Sequence, residues 1–215
     1  MAHSIITTID LLRHGECEGG DIYRGTTDVS LTEKGMRQME EAVSSVVAVS
    51  KVAPWQKIIS SPLQRCRRFS QAQGLRMNVP VVIENDFREV DFGDWEGRTL
   101  KDVWKMDANA VDQFYRSPDK FPPPNGENLR EVLDRLTCAW KRTLGSHSGE
   151  HLLLVQHGGT IRVLISWLLQ MPLTAVTRLH VPYASFSRIE IFETDGDFFP
   201  RLKFLNRMSE NSSDC

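Results

Sequence analysis

Ile9-Asp10-Leu11-Leu12-Arg13-His14-Gly15-Glu16 is a strand-like apolar run that stops on an arginine, a histidine and a glycine. Such a run reads as a buried strand delivering charged side chains to the end of a sheet. Open α/β sheets bind their ligands there. The pattern recurs downstream: residues 152–155, all Leu or Val, form the continuous apolar run of a strand buried on both faces. After Gln156 that run ends in His157-Gly158-Gly159.

Between these two strands the chain alternates helix and strand. Thr32 caps a helix whose Met36, Met39, Val43, Val46 and Val47 recur at helical spacing, and Pro54 bounds it. A short strand follows at 57–60. Ser61-Pro62 then opens a helix carrying Arg65, Arg67 and Arg68, with Pro62 at an early position where its missing N–H costs little. Residues 79–83 read as a third strand, 87–97 as an acidic and aromatic loop, and 100–115 as one or two helices. Phe121-Pro122-Pro123-Pro124-Asn125-Gly126 interrupts regular structure. Leu129, Val132, Leu133, Leu136, Trp140 and Leu144 then mark an amphipathic helix over 127–144. A strongly apolar helix is expected at 160–171, and a hairpin of 185–193 with 202–206 around Asp195-Gly196-Asp197.

The fold class expected is α/β: a three-layer sandwich with a mostly parallel central sheet flanked by helices and a small cap insertion over the carboxyl ends of the strands. At 215 residues one domain is expected over 1–208, with the cap at about 94–125 and residues 209–215 as a frayed tail. A net charge of −2 gives no general attraction to nucleic acid, so any anion site must be local. No apolar run approaches the ~18 residues of a membrane span. Cys17, Cys66, Cys138 and Cys215 lack the spacing of a disulfide framework or a zinc site. Without a signal-like N-terminus, a reducing, cytoplasmic setting is the default expectation.

A lone histidine at a strand end is commonly structural. Two, each followed by glycine at the carboxyl end of a buried strand, can face one another across neighbouring strands, beside backbone N–H groups that favour an anion. Arg13 and Arg65 add guanidinium forks suited to phosphate oxygens. Two arginines and two histidines make a phosphate pocket.

Leu12-Arg13-His14-Gly15-Glu16, Ser60-Ser61-Pro62-Leu63-Gln64-Arg65, Phe87-Arg88-Glu89 through Phe92-Gly93-Asp94-Trp95-Glu96-Gly97, and His157-Gly158-Gly159 resemble, in order, the motifs of the histidine phosphatase superfamily, in particular its phosphoglycerate-mutase-like branch. The resemblance implies that His14 takes the phosphoryl group, that Arg13, Arg65 and His157 hold its oxygens, and that Glu89 is the general acid. It implies no metal and no cofactor. Phe87, Phe92 and Trp95 would raise the Glu89 pKa by desolvation. Arg24 and Gly158 are candidate substrate contacts. Gly20 stands where the family often has an asparagine, which removes that side-chain contact, and Cys17 stands where Thr or Ser is usual.

The function expected is hydrolysis of a small-molecule phosphate ester through a phosphohistidine, with no nucleic-acid or membrane partner and an open oligomeric state. The stretch 16–25 is similar to the bacterial alpha-ribazole phosphatases, which act in cobalamin nucleotide-loop assembly. Mutase-type phosphoryl transfer is one alternative, disfavoured because Val90-Asp91-Phe92 replaces the family's Arg-His-Tyr after the glutamate and the long mutase tail is absent. A non-catalytic phosphate-binding domain is the other, disfavoured because neither His14 nor Glu89 is missing.

Overall fold

The computed structural model describes residues 5–208, so the expected tail at 209–215 lies outside the described residues. In chain order the elements are β1 (Ile5–Arg13), α1 (Glu33–Ser50), β2 (Lys57–Ser60), α2 (Gln64–Met77), β3 (Val81–Ile83), α3 (Leu100–Met106), α4 (Ala108–Arg116), α5 (Leu129–Ser146), β4 (His151–Gln156), α6 (Gly158–Leu168), β5 (Phe186–Thr194) and β6 (Asp197–Arg207). Short 3-10 helices occur at Asn85–Phe87, Gly93–Trp95 and Leu173–Arg178.

The strands form one sheet in the order β3-β2-β4-β1-β5-β6. The first four run parallel, and β5 and β6 close the other edge antiparallel. Side-chain alternation along each buried strand feeds two cores. Ile9 and Leu11 of β1, with Leu152 and Leu154 of β4, pack under α5 and α6, where Trp140, Leu136 and Leu164 are fully covered. Leu12, Leu153 and Val155 face the other way onto Met39 and Val43 of α1 and Phe69 of α2. Three layers follow, each fully buried Leu or Phe contributing about 1.5–3 kcal/mol.

Thr32 caps α1 by accepting from Gly35 N, as its position in the sequence suggests. Asn128 and Glu131 form a reciprocal capping box at the start of α5. Two boundaries differ from expectation. Pro62 lies outside α2, before the N-cap Leu63, because the Ser61 N–H still belongs to the sheet, donating to Val155 O at 3.0 Å. Helix α6 starts at Gly158, two residues early, because His157 is extended and its carbonyl already accepts from Ile161 N.

Residues 94–125 contain α3 and α4, which pack a small cluster of Trp95, Val103, Val111 and Phe114 against Tyr23 and Phe92. The ends of this segment are pinned: Asp94 N donates to Pro124 O and Asn125 Nδ2 to Asp94 Oδ2. Far below the strand ends, Asp10 is a buried charge inside β1. Arg188, His151 and Trp55 donate to its two oxygens. Burial would raise its pKa, but the bonds from His151 and Arg188 overcome that and hold it below the usual carboxylate value.

No helix of the described residues is long and apolar enough to cross a membrane.

Candidate active site

Strand register assembles the site. Arg13 of β1 is paired with Gln156 of β4, so the next residues, His14 and His157, emerge side by side, their ring centroids 5.2 Å apart. That is about the spacing of neighbouring strands. Ser60 of β2 is paired with Val155, which brings Ser61 and the start of α2, with Arg65, to the same edge.

His14 is buried, and its Nδ1–H donates to Gly15 O at 2.8 Å. This leaves Nε2 as the unprotonated nitrogen of a neutral ring, with no hydrogen-bond partner among the described residues. Burial first, then Arg13 and Arg65, push its pKa well below the ordinary histidine value. Cys17 Sγ lies 3.4 Å from His14 Nδ1, and burial raises its thiol pKa.

Arg65 is anchored from three sides: Nη2 donates to Gly25 O at 2.6 Å, Nη1 to Thr27 O at 2.9 Å and Nε to His157 Nδ1 at 3.2 Å. Arg13 donates Nη1 to Val181 O at 2.5 Å and lies 3.9 Å over the Tyr183 ring. A Cβ on Gly158 would meet Arg13 Nε at 3.1 Å, so the glycine admits this arginine closely. Arg24 gives Nη2 to the carbonyls of Cys17, Glu18 and Gly20, and Nη1 to Tyr183 Oη. Arg13 Nε and Arg24 Nε are buried donors without a partner among the described residues. Unpaired buried donors are uncommon and call for an acceptor.

Glu89 is buried at the N-terminus of α6. Its carboxylate accepts from Gly159 N, Thr160 N and Val90 N, each at 3.0 Å. Amides hold the carboxylate; of the three aromatics expected around it, Phe92 lines the same cavity, Phe87 sits in the main core and Trp95 in the small cluster. A Cβ on Gly159 would come within 2.6 Å of Glu89 Oε1, so both glycines of His157-Gly158-Gly159 are required by close approach.

These groups line one cavity of about 290 Å3. His14, Glu89, Arg13, Arg65, Arg24 and Gly158 all contribute to its wall. His157 stands behind, against Arg65 and Ser61, both ring nitrogens engaged by the protein. Sequence reasoning missed Arg162 and Tyr183, which line the wall, and Ser61 as the partner of His157. A lone cation inside an apolar helix, four residues after Gly158, was the available signal for Arg162. The outer wall is apolar and aromatic, with Phe92, Phe114, Tyr115 and Val176. Arg67 and Arg68 are exposed on α2 and take no part in this wall. Among the described residues no group of three or more His, Cys, Asp or Glu is arranged to hold a metal ion.

Paired strand-end histidines, arginines converging on them and a helix-held glutamate belong to an enzyme class, and residues 9–201 match the family model of the histidine phosphatase superfamily (branch 1). The chain belongs to that family. It is 30% identical over 198 residues to the adenosylcobalamin/alpha-ribazole phosphatase of Salmonella typhimurium, covering 91% of this chain and 94% of that protein. Among solved structures, mycobacterial hydrolase 2 shares the fold, with a TM-score of 0.87 at 24% identity over 97% of this chain and 94% of that one. The mycobacterial glucosyl-3-phosphoglycerate phosphatase in complex with VO3 gives 0.80 at 26% identity, over 93% and 98%. The phosphatase class expected from the motifs agrees with these findings.

Proposed function

We propose that this protein is a metal-independent phosphomonoesterase that works through a phosphohistidine on His14. The observation that carries the reading is the His14 tautomer: Nδ1–H is committed to Gly15 O, and the free Nε2 belongs to a ring lining a cavity of guanidiniums. In the first step Nε2 forms a bond to phosphorus while the ester P–O bond breaks and Glu89 gives its proton to the departing oxygen. In the second, Glu89 takes a proton from water, the water oxygen attacks phosphorus, and the N–P bond breaks to release inorganic phosphate. Arg13 and Arg65 stabilise the equatorial oxygens. His157, neutral and behind the wall, orients Arg65, and Arg24 shapes the loop while offering Nε.

The substrate is a small phosphorylated metabolite, and residues 94–125 act as the cap over it. Alpha-ribazole phosphate is the specific candidate, supported by the name of the Salmonella relative and by the aromatic outer wall. The mutase alternative is disfavoured because apolar Val90 lines the wall directly after Glu89.

The test is turnover of an aryl phosphate in excess chelator, with acid-quenched protein mapped for an acid-labile phosphoryl group. Phosphate release and label on His14, both lost in His14→Ala, are expected. Label on another residue, or equal turnover by wild type and variant, would remove the proposal. A panel including alpha-ribazole phosphate, phosphoglycerates, sugar phosphates and nucleotides then ranks substrates.

A further inference from the structure

The segment leading into β5 cradles the arginines of the wall. Leu179 O accepts from Arg162 Nε at 2.7 Å, and Val181 O accepts from Arg13 Nη1 at 2.5 Å. Two residues further on, the Tyr183 ring lies against the Arg13 guanidinium, whose central carbon stands 3.9 Å from the ring centroid. The same ring is 5.6 Å from the His14 ring, and its hydroxyl accepts from Arg24 Nη1 at 3.3 Å. Tyr183 lines the cavity and touches the proposed nucleophile together with two of the arginines around it.

The backbone is bent to put the ring there. Arg13 N donates to Ser185 O and Ala184 N to His14 O, each at 3.2 Å, so the segment is laced to the end of β1. At this lacing, directly after Tyr183, buried Ala184 has a φ of 54°. A residue with a Cβ seldom takes this left-handed conformation, and such strain persists where the surrounding contacts over-determine it. The two backbone bonds and the packing of the Tyr183 ring on Arg13 are such contacts.

What the ring adds follows from the shape of a guanidinium. One hydrogen bond from Nη1 fixes a point and leaves the plane free to turn about that bond. An aromatic face against the guanidinium fixes the plane. Glu89 lines the same cavity and attracts Arg13, but no ion pair joins the two among the described residues, and attraction alone sets no plane. With Nη1 spent on Val181, the edge that carries Nε is left for phosphoryl oxygens, and Nε is a buried donor without a partner among the described residues. Attack by His14 Nε2 flattens the three remaining oxygens of the phosphoryl group into one plane. A guanidinium held in a fixed orientation favours that flat arrangement over the tetrahedral ester, whereas one free to turn follows either.

We propose that Tyr183 is a positioning residue for phosphoryl transfer: its ring face sets the plane of the Arg13 guanidinium beside His14, and its hydroxyl, bound to Arg24, keeps the ring at that angle. This rests on the phosphomonoesterase reading and adds to it a residue that acts through Arg13.

The experiment separates face from hydroxyl and from bulk with Tyr183→Phe, Tyr183→Met and Tyr183→Leu. Aryl phosphate kinetics are measured beside equilibrium binding of orthovanadate, which takes up the flat five-coordinate geometry, and of inorganic phosphate, which stays tetrahedral. Binding constants are independent of any misfolded fraction. Tyr183→Phe is expected to stay within about threefold of wild type in kcat/KM and in vanadate affinity. Tyr183→Met and Tyr183→Leu, which fill space without a π face, should each lose about tenfold or more in both, the kinetic loss lying in kcat, while phosphate affinity falls about threefold or less. Placed on Arg13→Lys, which keeps a charge but has no plane to set, Tyr183→Met should cost less than about threefold in kcat/KM. Vanadate affinity in the aliphatic variants equal to wild type overturns the proposal. So does a loss in Tyr183→Phe as large as in Tyr183→Met, or a loss in the Arg13→Lys background as large as in wild type. Absence of aryl phosphate turnover by the wild-type protein overturns the phosphatase reading and this inference with it, whereas wild-type turnover with indifferent Tyr183 variants removes this inference alone.

Discussion

Arg65 Nε donates to His157 Nδ1 across 3.2 Å, and that bond decides where the histidine carries its proton. With Nδ1 accepting, a neutral ring is protonated at Nε2, which donates to Ser61 Oγ at 2.6 Å. The chain of contacts joins α2, β4 and the end of β2, so the phosphate-binding arginine is oriented through a histidine whose far side is itself fixed.

Ser61→Ala leaves the His157 Nε2–H buried with only the weak Cys66 Sγ contact at 3.7 Å. The expected loss of stability is about 1–3 kcal/mol, read from urea denaturation. Weaker inhibition by inorganic phosphate should accompany it as Arg65 loses its orientation. An unchanged midpoint would place the proton on the other nitrogen.

Glu96 acts on Arg65 from the opposite side. It accepts from Thr26 N at 2.7 Å, Thr27 N at 2.8 Å and both threonine hydroxyls, and so clamps the loop whose Gly25 and Thr27 carbonyls hold the Arg65 guanidinium. Burial alone would raise the Glu96 pKa, but the Thr27, Thr26 and Phe92 hydrogen bonds keep it below the usual value. Glu96→Ala is expected to lower kcat/KM for an aryl phosphate about tenfold, roughly 1.4 kcal/mol, and Glu96→Gln less because one acceptor oxygen remains. Full activity in Glu96→Ala would show that the loop needs no clamp.

Gly15 and Gly35 cross with their backbones in contact. A Cβ on Gly15 would overlap the Gly35 carbonyl, and one on Gly35 would overlap Glu16 O. The first turn of α1 thus presses directly on the residues following His14. Gly35→Ala should cost about 1–3 kcal/mol by overpacking and reduce turnover more than it reduces stability would suggest, since the displaced backbone carries the Gly15 acceptor of His14 Nδ1. Thermal melting and aryl phosphate kinetics on the same preparation measure the two effects; wild-type values in both would show that the crossing has slack.

The strands, the principal helices and the residues His14, Arg13, Arg65, Glu89 and His157 were legible because each belongs to a local pattern: an apolar run, a helical period or a short motif. The partners that fix them were harder to read. Val181, Leu179, Gly25 and Thr27 contribute through carbonyls, which every residue possesses, so no side-chain type marks them. Ser61 reads equally well as a helix opening, and only the pairing of Ser60 with Val155 reveals that it ends a strand beside His157. The Glu89 environment is legible only in part, for a related reason. Its aromatic neighbours are close in sequence, but the amides that hold it come from residues 159 and 160, across the fold.

Burial of two neutral histidines ties stability to pH. Burial is the leading cause of the low pKa at both His14 and His157, followed by Arg13 at the first and Arg65 at the second. Above the unfolded value of about 6.5 the folded and unfolded chains both leave these rings neutral, and the pair adds no pH dependence. Below it the unfolded chain binds protons that the folded chain refuses, so stability is lost as pH falls from about 6.5 towards the depressed folded values. Each ring contributes a slope of about 1.4 kcal/mol per pH unit, together about 2.8. Asp10, with its folded pKa lowered, adds its own loss only as pH falls below its unfolded value of 3.8. Urea denaturation at intervals from pH 7.5 to 4.5 should therefore be flat at the upper end and steepen below about 6.5. His157→Gln, compared with wild type across that range, should show about half of the histidine slope whatever its absolute stability. A wild-type curve that stayed flat down to pH 5 would mean that both rings accept protons in the folded protein, and the unprotonated Nε2 of His14 on which the proposed chemistry depends would then be lost at the same pH.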